Sequence, residues 1–235
     1  MKRFLLLLSF FVSLHGIATS QISASEEQDR LTPAENFYDV GSWAENYYTI
    51  VKNHLISSEE DRFLSRFWAL PSFSNEYFLG TMQDGDDFVV ICREPEQQIS
   101  ADMGRLENEN YIPQIVEITR RISEHDVLLL NLLIEVAVVS ARFEQKILSD
   151  KDCINVTMGL DGASYFFSTS PFGFDTKTAT AWSPPRDSAP RELIIILKEV
   201  ITLMKDEKDE DIEFTPELEA RINDLTYRFR KHIEE

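Results

Sequence analysis

The chain has few of the residues that most often perform chemistry: two cysteines and four histidines among 235 residues. It contains no Gly-x-Ser-x-Gly elbow, no His-Glu-x-x-His, no paired Cys-x-x-Cys, no complete calcium-binding loop and no glycine-rich phosphate loop. Each of these chemistries needs its groups at a defined spacing, so serine hydrolases, zinc proteases and nucleotide-binding enzymes are disfavoured. We therefore expect no cofactor and no metal site.

The histidines do not form a catalytic set in the sequence. His54 falls within an apolar helical stripe, His125 lies in the first turn of a predicted helix, and His232 is near the end of the chain. The positive end of the helix dipole disfavours protonation of His125. Serine and cysteine nucleophiles therefore lack an evident general base, and the sequence favours a protein that is not an enzyme.

Long apolar runs are also missing, except at the start of the chain. Two basic residues precede the apolar stretch Phe4–Leu14, and small residues follow it. A secretory signal has an apolar stretch of roughly 7–15 residues, whereas a membrane-spanning helix needs about 20. We expect cleavage after Ser20, with Ala24 as the alternative, and therefore an exported, periplasmic or secreted protein without stable membrane insertion after cleavage.

Positive charge is scarce, with 23 basic against 41 acidic residues. Loss of Lys2 and Arg3 with the signal takes the formal net charge from −18 to −20. Such a surface keeps a protein soluble and repels phosphate backbones, so we expect no nucleic acid partner. The expected partner is an unknown protein or a small ligand, and a basic protein partner is one alternative.

The two cysteines, Cys92 and Cys153, both lie in apolar, strand-like runs. In an oxidising compartment they can pair as a disulfide. Buried free thiols fit such apolar surroundings equally well. Both alternatives stay open at the level of sequence.

Apolar periodicity and turn residues predict an α+β fold with a mainly antiparallel sheet packed against a central apolar helix and C-terminal helices. We expect a signal peptide at 1–20, a flexible polar leader at 21–40, a single α+β domain at 41–211 and a C-terminal amphipathic helix at 212–235. That last helix either docks on its own domain or binds a partner. The predicted helices span 42–56, 124–143, 188–204 and 216–233, and the predicted strands span 63–70, 76–82, 87–93, 114–122, 154–160, 163–168 and 176–182.

Two carboxylates have a setting in which an enclosed catalytic acid is conceivable. Glu135 lies on the central helix, and Asp161 follows a predicted strand. A glycosidase needs two carboxyl groups at a defined separation, with one of them desolvated. The structural interpretation is that Asp161 begins a tight turn with Gly162 and that Glu135 forms a polar contact on its helix.

The elements Leu160-Asp161-Gly162 and Trp182-Ser183-Pro184 resemble a C-terminal pattern in a diverse group of small, uncharacterised exported bacterial proteins. In that group an aromatic strand follows Leu-Asp-Gly, and an apolar helix follows Trp-Ser-Pro. The similarity covers roughly residues 62–204 and implies a shared fold without a known activity. The long helical N-terminal part and the added C-terminal helix depart from that pattern. A small binding cleft lined by Asp161, Trp182 and Ser183 is one hypothesis for this region.

The leading functional hypothesis is a non-catalytic binding or accessory domain that uses an aromatic face or cleft. The alternative is a carboxylate-based hydrolase that acts on an extracytoplasmic polymer through Glu135 and Asp161. A third hypothesis is an acidic accessory protein that engages a basic partner. The aromatic residues that motivate the first hypothesis are Trp68, Phe73, Tyr77, Phe166, Phe167 and Trp182.

Overall fold

A computed structural model describes residues 29–34, 45–56, 62–101, 111–142, 162–170, 176–206 and 210–234. The predicted α+β fold is confirmed: in these parts of the chain a mostly antiparallel eight-stranded sheet packs against helices. The strands are β1 (Thr32–Pro33), β2 (Phe63–Pro71), β3 (Tyr77–Asp84), β4 (Asp87–Pro95), β5 (Ile115–Ile122), β6 (Ala163–Thr169), β7 (Lys177–Trp182) and β8 (Asp211–Ile212). The helices are α1 (Glu45–Val51), which continues as a π-helical turn (Lys52–Ile56), then α2 (Glu124–Val139), α3 (Ala189–Asp206) and α4 (Pro216–Glu234).

The strands lie in the order β1-β7-β6-β2-β3-β4-β5-β8. All neighbouring pairs are antiparallel except β5 and β8. β3 and β4 form the predicted hairpin, in which Gly85 adopts a φ of 64° that favours glycine. The central pairing of β2 with β6 joins residues about a hundred positions apart, as in Phe67 opposite Phe167.

Both faces of the sheet are covered, which explains why β2 is buried along almost its whole length. On one face, here called the helical face, Phe67, Leu79 and Phe167 contact the core formed with α2, α3 and α4. On the opposite face, Trp68 and Phe78 pack against α1 and its π-helical turn. Burial of each large apolar side chain contributes about 1.5–3 kcal/mol, so both layers stabilise the sheet.

The central helix α2 begins at a local capping signal. The hydroxyl of Ser123 accepts a hydrogen bond from the backbone N–H of Asp126 at 3.0 Å, which satisfies one of the free N–H groups of the first turn. Its buried residues include Leu130, Leu133 and Ile134. The helix ends at Val139, before the predicted 143, and it leaves Leu128 exposed.

The C-terminal helix α4 docks on its own domain. Thr215 caps its first turn by accepting the backbone N–H of Leu218 at 3.2 Å. Leu218, Ile222, Leu225 and Phe229 are buried in the helical-face core. The amphipathic stripe of this helix is therefore covered by the same chain rather than free for a partner.

Residues 29–34 fall within the stretch expected to be a polar leader, yet they pack against the domain. Leu31 is buried, and Thr32–Pro33 pairs with β7. Asp29 accepts a hydrogen bond from the backbone N–H of Ala189 at 2.6 Å. A two-residue strand gives no detectable periodicity, so the sequence carries no signal for this docking. The predicted signal peptide at 1–20 lies outside the described residues.

None of the helices in the described ranges combines the length and the apolar character that crossing a membrane requires.

Candidate functional site

Three strand ends meet at one end of the sheet and position the residues that the sequence singled out. The backbone N–H of Ser72, after β2, donates to the carbonyl of Gly162, before β6, at 2.9 Å. The backbone N–H of Ser183, after β7, donates to the carbonyl of Ala163 at 2.9 Å. We call the group formed by Ser72, Phe73, Gly162, Trp182 and Ser183 the Trp182 corner.

Close packing fixes the indole of Trp182 on the backbone of Gly162. A Cβ atom at Gly162 would lie 2.5 Å from the Oγ of Ser183 and 2.8 Å from the Trp182 ring. These distances are shorter than real Cβ contacts, so this position accepts only glycine without rearrangement. Trp182 nevertheless keeps 52% of its surface exposed. The ring is therefore held in place and still accessible.

Ser183 adopts a left-handed backbone conformation with a φ of 39°, which non-glycine residues rarely do. Such a conformation costs about 1–3 kcal/mol, and it persists only where the surrounding structure enforces it. The Oγ of Ser183 accepts the backbone N–H of Ala163 at 3.0 Å and helps to hold it. Backbone strain of this kind is concentrated at functional sites, so the conformation of Ser183 makes this corner a candidate functional site.

Phe73 is the second exposed aromatic residue of the corner, with 78% of its surface exposed. The preceding residue, Ser72, donates its hydroxyl to the carbonyl of Gly162 at 2.8 Å. The side chain of Gln98 donates to the carbonyl of Ser72 at 3.0 Å. Hydrogen bonds thus anchor the backbone beside Phe73, and the corner carries two exposed aromatic residues, Phe73 and Trp182.

The remaining aromatic residues named from the sequence belong mainly to the sheet layers. Trp68 stacks on Phe166 with ring centroids 5.4 Å apart on the opposite face. Phe167 is buried and stacks on Phe67 at 5.2 Å on the helical face. Tyr77 is half-buried. These residues stabilise the sheet, so Phe73 and Trp182 are the exposed members of the six aromatic residues named from the sequence.

A buried carboxylate that the sequence did not reveal supports this end of the sheet. Glu76 is 0% exposed and accepts the backbone N–H groups of Ile99 at 2.8 Å and Ser100 at 3.0 Å. It also accepts the hydroxyl of Tyr47 at 2.9 Å. Burial, together with the charge of Glu76, raises the pKa of Tyr47 far above its ordinary value. Glu76 thereby ties α1 and the segment containing Gln98 to the loop that carries Phe73.

A row of side chains on the helical face lies next to the corner. Ala69 pairs with Tyr165 on one side and with Tyr77 on the other. The ammonium group of Lys198 lies 5.7 Å from the centre of the Tyr77 ring. Burial raises the pKa of Tyr77, and burial together with Arg191 lowers the pKa of Lys198. The phenol therefore stays protonated at neutral pH and does not provide a base.

The structure provides no support for Glu135 and Asp161 as a pair of catalytic carboxylates. Glu135 is half-buried on α2 and makes no hydrogen bond or ion pair to another described residue. Asp161 lies outside the described residues, one position before Gly162. A catalytic role for either carboxylate stays a prediction.

Cys92, His54 and His125 form no nucleophile–base pair with the described residues. Cys92 is buried, and burial raises the pKa of its thiol to about 11. Cys153, its predicted partner, lies outside the described residues, so the disulfide stays a prediction. Burial lowers the pKa of His54. Neither His54 nor the exposed His125 donates to or accepts from a hydroxyl or thiol of a described residue.

Comparisons with protein families, curated proteins and solved structures return no match for this chain. The similarity to exported bacterial proteins with the Leu-Asp-Gly and Trp-Ser-Pro elements therefore stays a prediction. Function must be argued from the α+β fold and from the Trp182 corner.

Proposed function

We propose that this chain is an exported, non-catalytic binding or accessory domain whose binding surface is the Trp182 corner. One observation carries the proposal: the indole of Trp182 is half exposed although its edge is packed against Gly162 and its backbone leads into the strained Ser183. Exposed large apolar side chains occur singly on most proteins. A second exposed aromatic residue, Phe73, directly follows Ser72, which is hydrogen-bonded to Gly162, so the corner carries two exposed aromatic residues rather than one.

A rigid aromatic platform suits binding because little side-chain freedom is lost when a ligand covers it. Tryptophan is among the residues that contribute most to binding interfaces. Removal of an aromatic side chain from water contributes about 1.5–3 kcal/mol, and part of that gain is still available at the half-exposed Trp182. The hydrogen bonds of Ser72 with Gly162 preserve the platform without a ligand.

The state of the candidate nucleophiles supports binding rather than turnover. The hydroxyl of Ser183 accepts a backbone hydrogen bond and has no imidazole among its described partners. Cys92 is buried, with a pKa that keeps it protonated at neutral pH. A nucleophile of either type needs an adjacent base or a lowered pKa.

The test compares Trp182→Ala with Tyr227→Ala, an exposed aromatic residue on α4 that serves as the matched control. Each purified chain is sedimented with insoluble peptidoglycan and chitin and is used to capture proteins from an extracytoplasmic extract. We expect the wild type and Tyr227→Ala to retain the same ligand and Trp182→Ala to lose it. Equal retention by a folded Trp182→Ala would contradict the proposal.

A salt titration distinguishes this proposal from the hypothesis of an acidic accessory protein. Exposed charges are screened over about 8 Å at physiological ionic strength, so binding through net charge weakens as salt is added. Binding through Trp182 should persist in high salt because burial of apolar surface drives it. Collapse of binding in salt, together with retention by Trp182→Ala, would favour a basic partner.

A further inference from the structure

Three potential metal ligands converge at the place where the first turns of α2 and α4 meet. His125 and Asp126 lie in the first turn of α2, and Glu219 lies near the start of α4. One ligand atom from each residue lies within 4.8 Å of the other two. His125 is exposed, Asp126 is buried and Glu219 is half-buried. The cluster thus has one side in the core and one side open to solvent.

The buried carboxylate of Asp126 has one hydrogen-bond donor and no cationic partner among the described residues. It is only 4% exposed, and among the described residues its carboxylate accepts one hydrogen bond, from the backbone N–H of Phe214 at 3.2 Å. No described lysine or arginine forms an ion pair with it. Burying an ionised carboxylate is costly unless it is paired or bound to a metal. A cation at this position would add a partner of opposite charge to the hydrogen bond from Phe214.

Helix dipoles do not balance the charge of this cluster. Each helix N-terminus is equivalent to about half a positive charge, so the two termini together supply about one. Asp126 and Glu219 bring two negative charges, and Glu124 and Glu217 add more in the same first turns. A net negative charge therefore remains, with the imidazole of His125 beside it.

The distance between His125 and Glu219 is compatible with two ligands of one metal ion. The Nε2 of His125 lies 3.8 Å from the Oε2 of Glu219, which is longer than a hydrogen bond. Zinc binds imidazole nitrogen and carboxylate oxygen at about 2.0–2.2 Å, so neighbouring ligands of a tetrahedral site lie about 3.4 Å apart. A shift of a few tenths of an ångström brings the pair to that separation.

We propose that His125, Asp126 and Glu219 bind one divalent transition-metal ion, with zinc as the favoured ion. Mixed nitrogen and oxygen ligands suit zinc, and three protein ligands leave a fourth position for water on the exposed side of His125. The ion would join the first turn of α4 to the first turn of α2. This site lies apart from the residues of the Trp182 corner and is independent of the proposed function. It is a site that the sequence alone did not predict.

The test uses the exported full chain, freed of metal with EDTA and titrated with Zn²⁺ in a calorimeter. We expect the wild type to bind one Zn²⁺ per chain. Loss of a ligand in His125→Ala should weaken affinity by about 10- to 100-fold or more, since even outer-shell changes have effects of that size. His232→Ala serves as the control because it removes a histidine from the other end of α4.

Thermal unfolding followed by circular dichroism provides a second readout. Added Zn²⁺ should raise the Tm of the wild type and of His232→Ala, because an ion that binds only the folded state stabilises it. The Tm of Glu219→Gln should not respond, and EDTA should reverse the effect in the wild type. Absence of Zn²⁺ binding, or equal affinity in folded His125→Ala that indicates an adventitious ion only, would overturn the proposal.

Discussion

Ser183 accepts the backbone N–H of Ala163 through its Oγ at 3.0 Å while its own backbone N–H donates to the carbonyl of Ala163 at 2.9 Å. This double contact closes the end of β7 onto the start of β6. It holds a residue with positive φ in place. Backbone hydrogen bonds thus form the corner that presents Trp182. Substitutions that disrupt these contacts should change the stability of the chain and the position of the indole.

Gly162→Ala should destabilise the fold and displace the indole of Trp182. The new Cβ would collide with the Oγ of Ser183 and the Trp182 ring, and overpacking of this kind costs about 1–3 kcal/mol. Urea unfolding measures the loss. Because the chain has three tryptophans, the displacement is reported by a change in emission that is absent when Gly162→Ala is combined with Trp182→Phe. Gly85→Ala is the comparison: its φ of 64° should cost about 1–2 kcal/mol, but nothing lies near its Cβ and the emission should stay unchanged.

Glu76→Gln should weaken the support beneath Phe73. The carboxylate uses both oxygens, one for Ile99 and the other for Ser100 and Tyr47. An amide has one acceptor oxygen, so its NH₂ group would face a buried donor, at a cost of about 1–3 kcal/mol. Urea unfolding measures this loss. The exposed Glu213→Gln should leave the unfolding midpoint unchanged, and an equal effect of the two substitutions would argue against the role of Glu76.

Phe229→Ala should strongly destabilise the isolated chain because α4 docks on its own core. The side chain is 0% exposed, and truncation of a buried phenylalanine costs about 3–5 kcal/mol. Tyr227→Ala, on the exposed side of the same helix, removes only a contact with Lys231 and should cost at most about 1 kcal/mol. Chemical unfolding of both variants checks this. A wild-type midpoint for Phe229→Ala would mean that the stripe serves a partner instead.

Cys92 should not react with a thiol reagent in the folded chain. Its pKa is raised from 9.0 to about 11 by burial, so the folded state favours the neutral thiol. The stability from this burial is fully present below pH 9.0 and is lost as the pH rises toward 11. The measurement is the reaction rate in Cys153→Ser, before and after unfolding.

A thiol count in unfolded, unreduced wild-type chain addresses the two alternatives for the cysteines. Two reactive thiols would establish free cysteines, and none would establish the pairing of Cys92 with Cys153. Rapid labelling of folded Cys153→Ser would contradict the burial of Cys92.

We expect the purified chain to hydrolyse no extracytoplasmic polymer, and we expect Glu135→Gln and Asp161→Asn to behave like the wild type in this assay. Release of soluble sugars or peptides from peptidoglycan and chitin is the measurement. Turnover by the wild type that is lost in both folded variants would support the hydrolase instead.

Local signals explain why much of the fold could be predicted from the sequence. The Asp84–Asp87 hairpin has a glycine where the turn needs positive φ, and Ser123 caps α2 with its hydroxyl. The same reasoning failed for β1 and β8, because strands of two residues have no periodicity. The exposure of Leu128 was also missed, since apolar character alone does not show which side of α2 faces the sheet.

The candidate sites, like the fold, could be predicted only in part from the sequence. Trp182 and Ser183 could be named from the sequence, because Trp-Ser-Pro ends an aromatic strand. The contact of Trp182 with Gly162 could not, since it joins two strands through tertiary packing. His125 and Glu219 lie on helices that are far apart in the chain, so no characteristic spacing of ligands in the sequence predicts that their side chains lie close together.

The ion pair between Asp29 and Arg228 joins residues 199 positions apart, with oxygen–nitrogen distances of 3.1 and 3.2 Å. Asp29 also accepts the first N–H of α3, and the residues after it pair with β7. A chain that has not yet been synthesised as far as Arg228 cannot complete this closure. Until then the segment that covers the edge of β7 is held only by its backbone pairing, by the burial of Leu31 and by the hydrogen bond from Ala189 to Asp29. The first strand of the domain is therefore fully secured only when the last helix is in place.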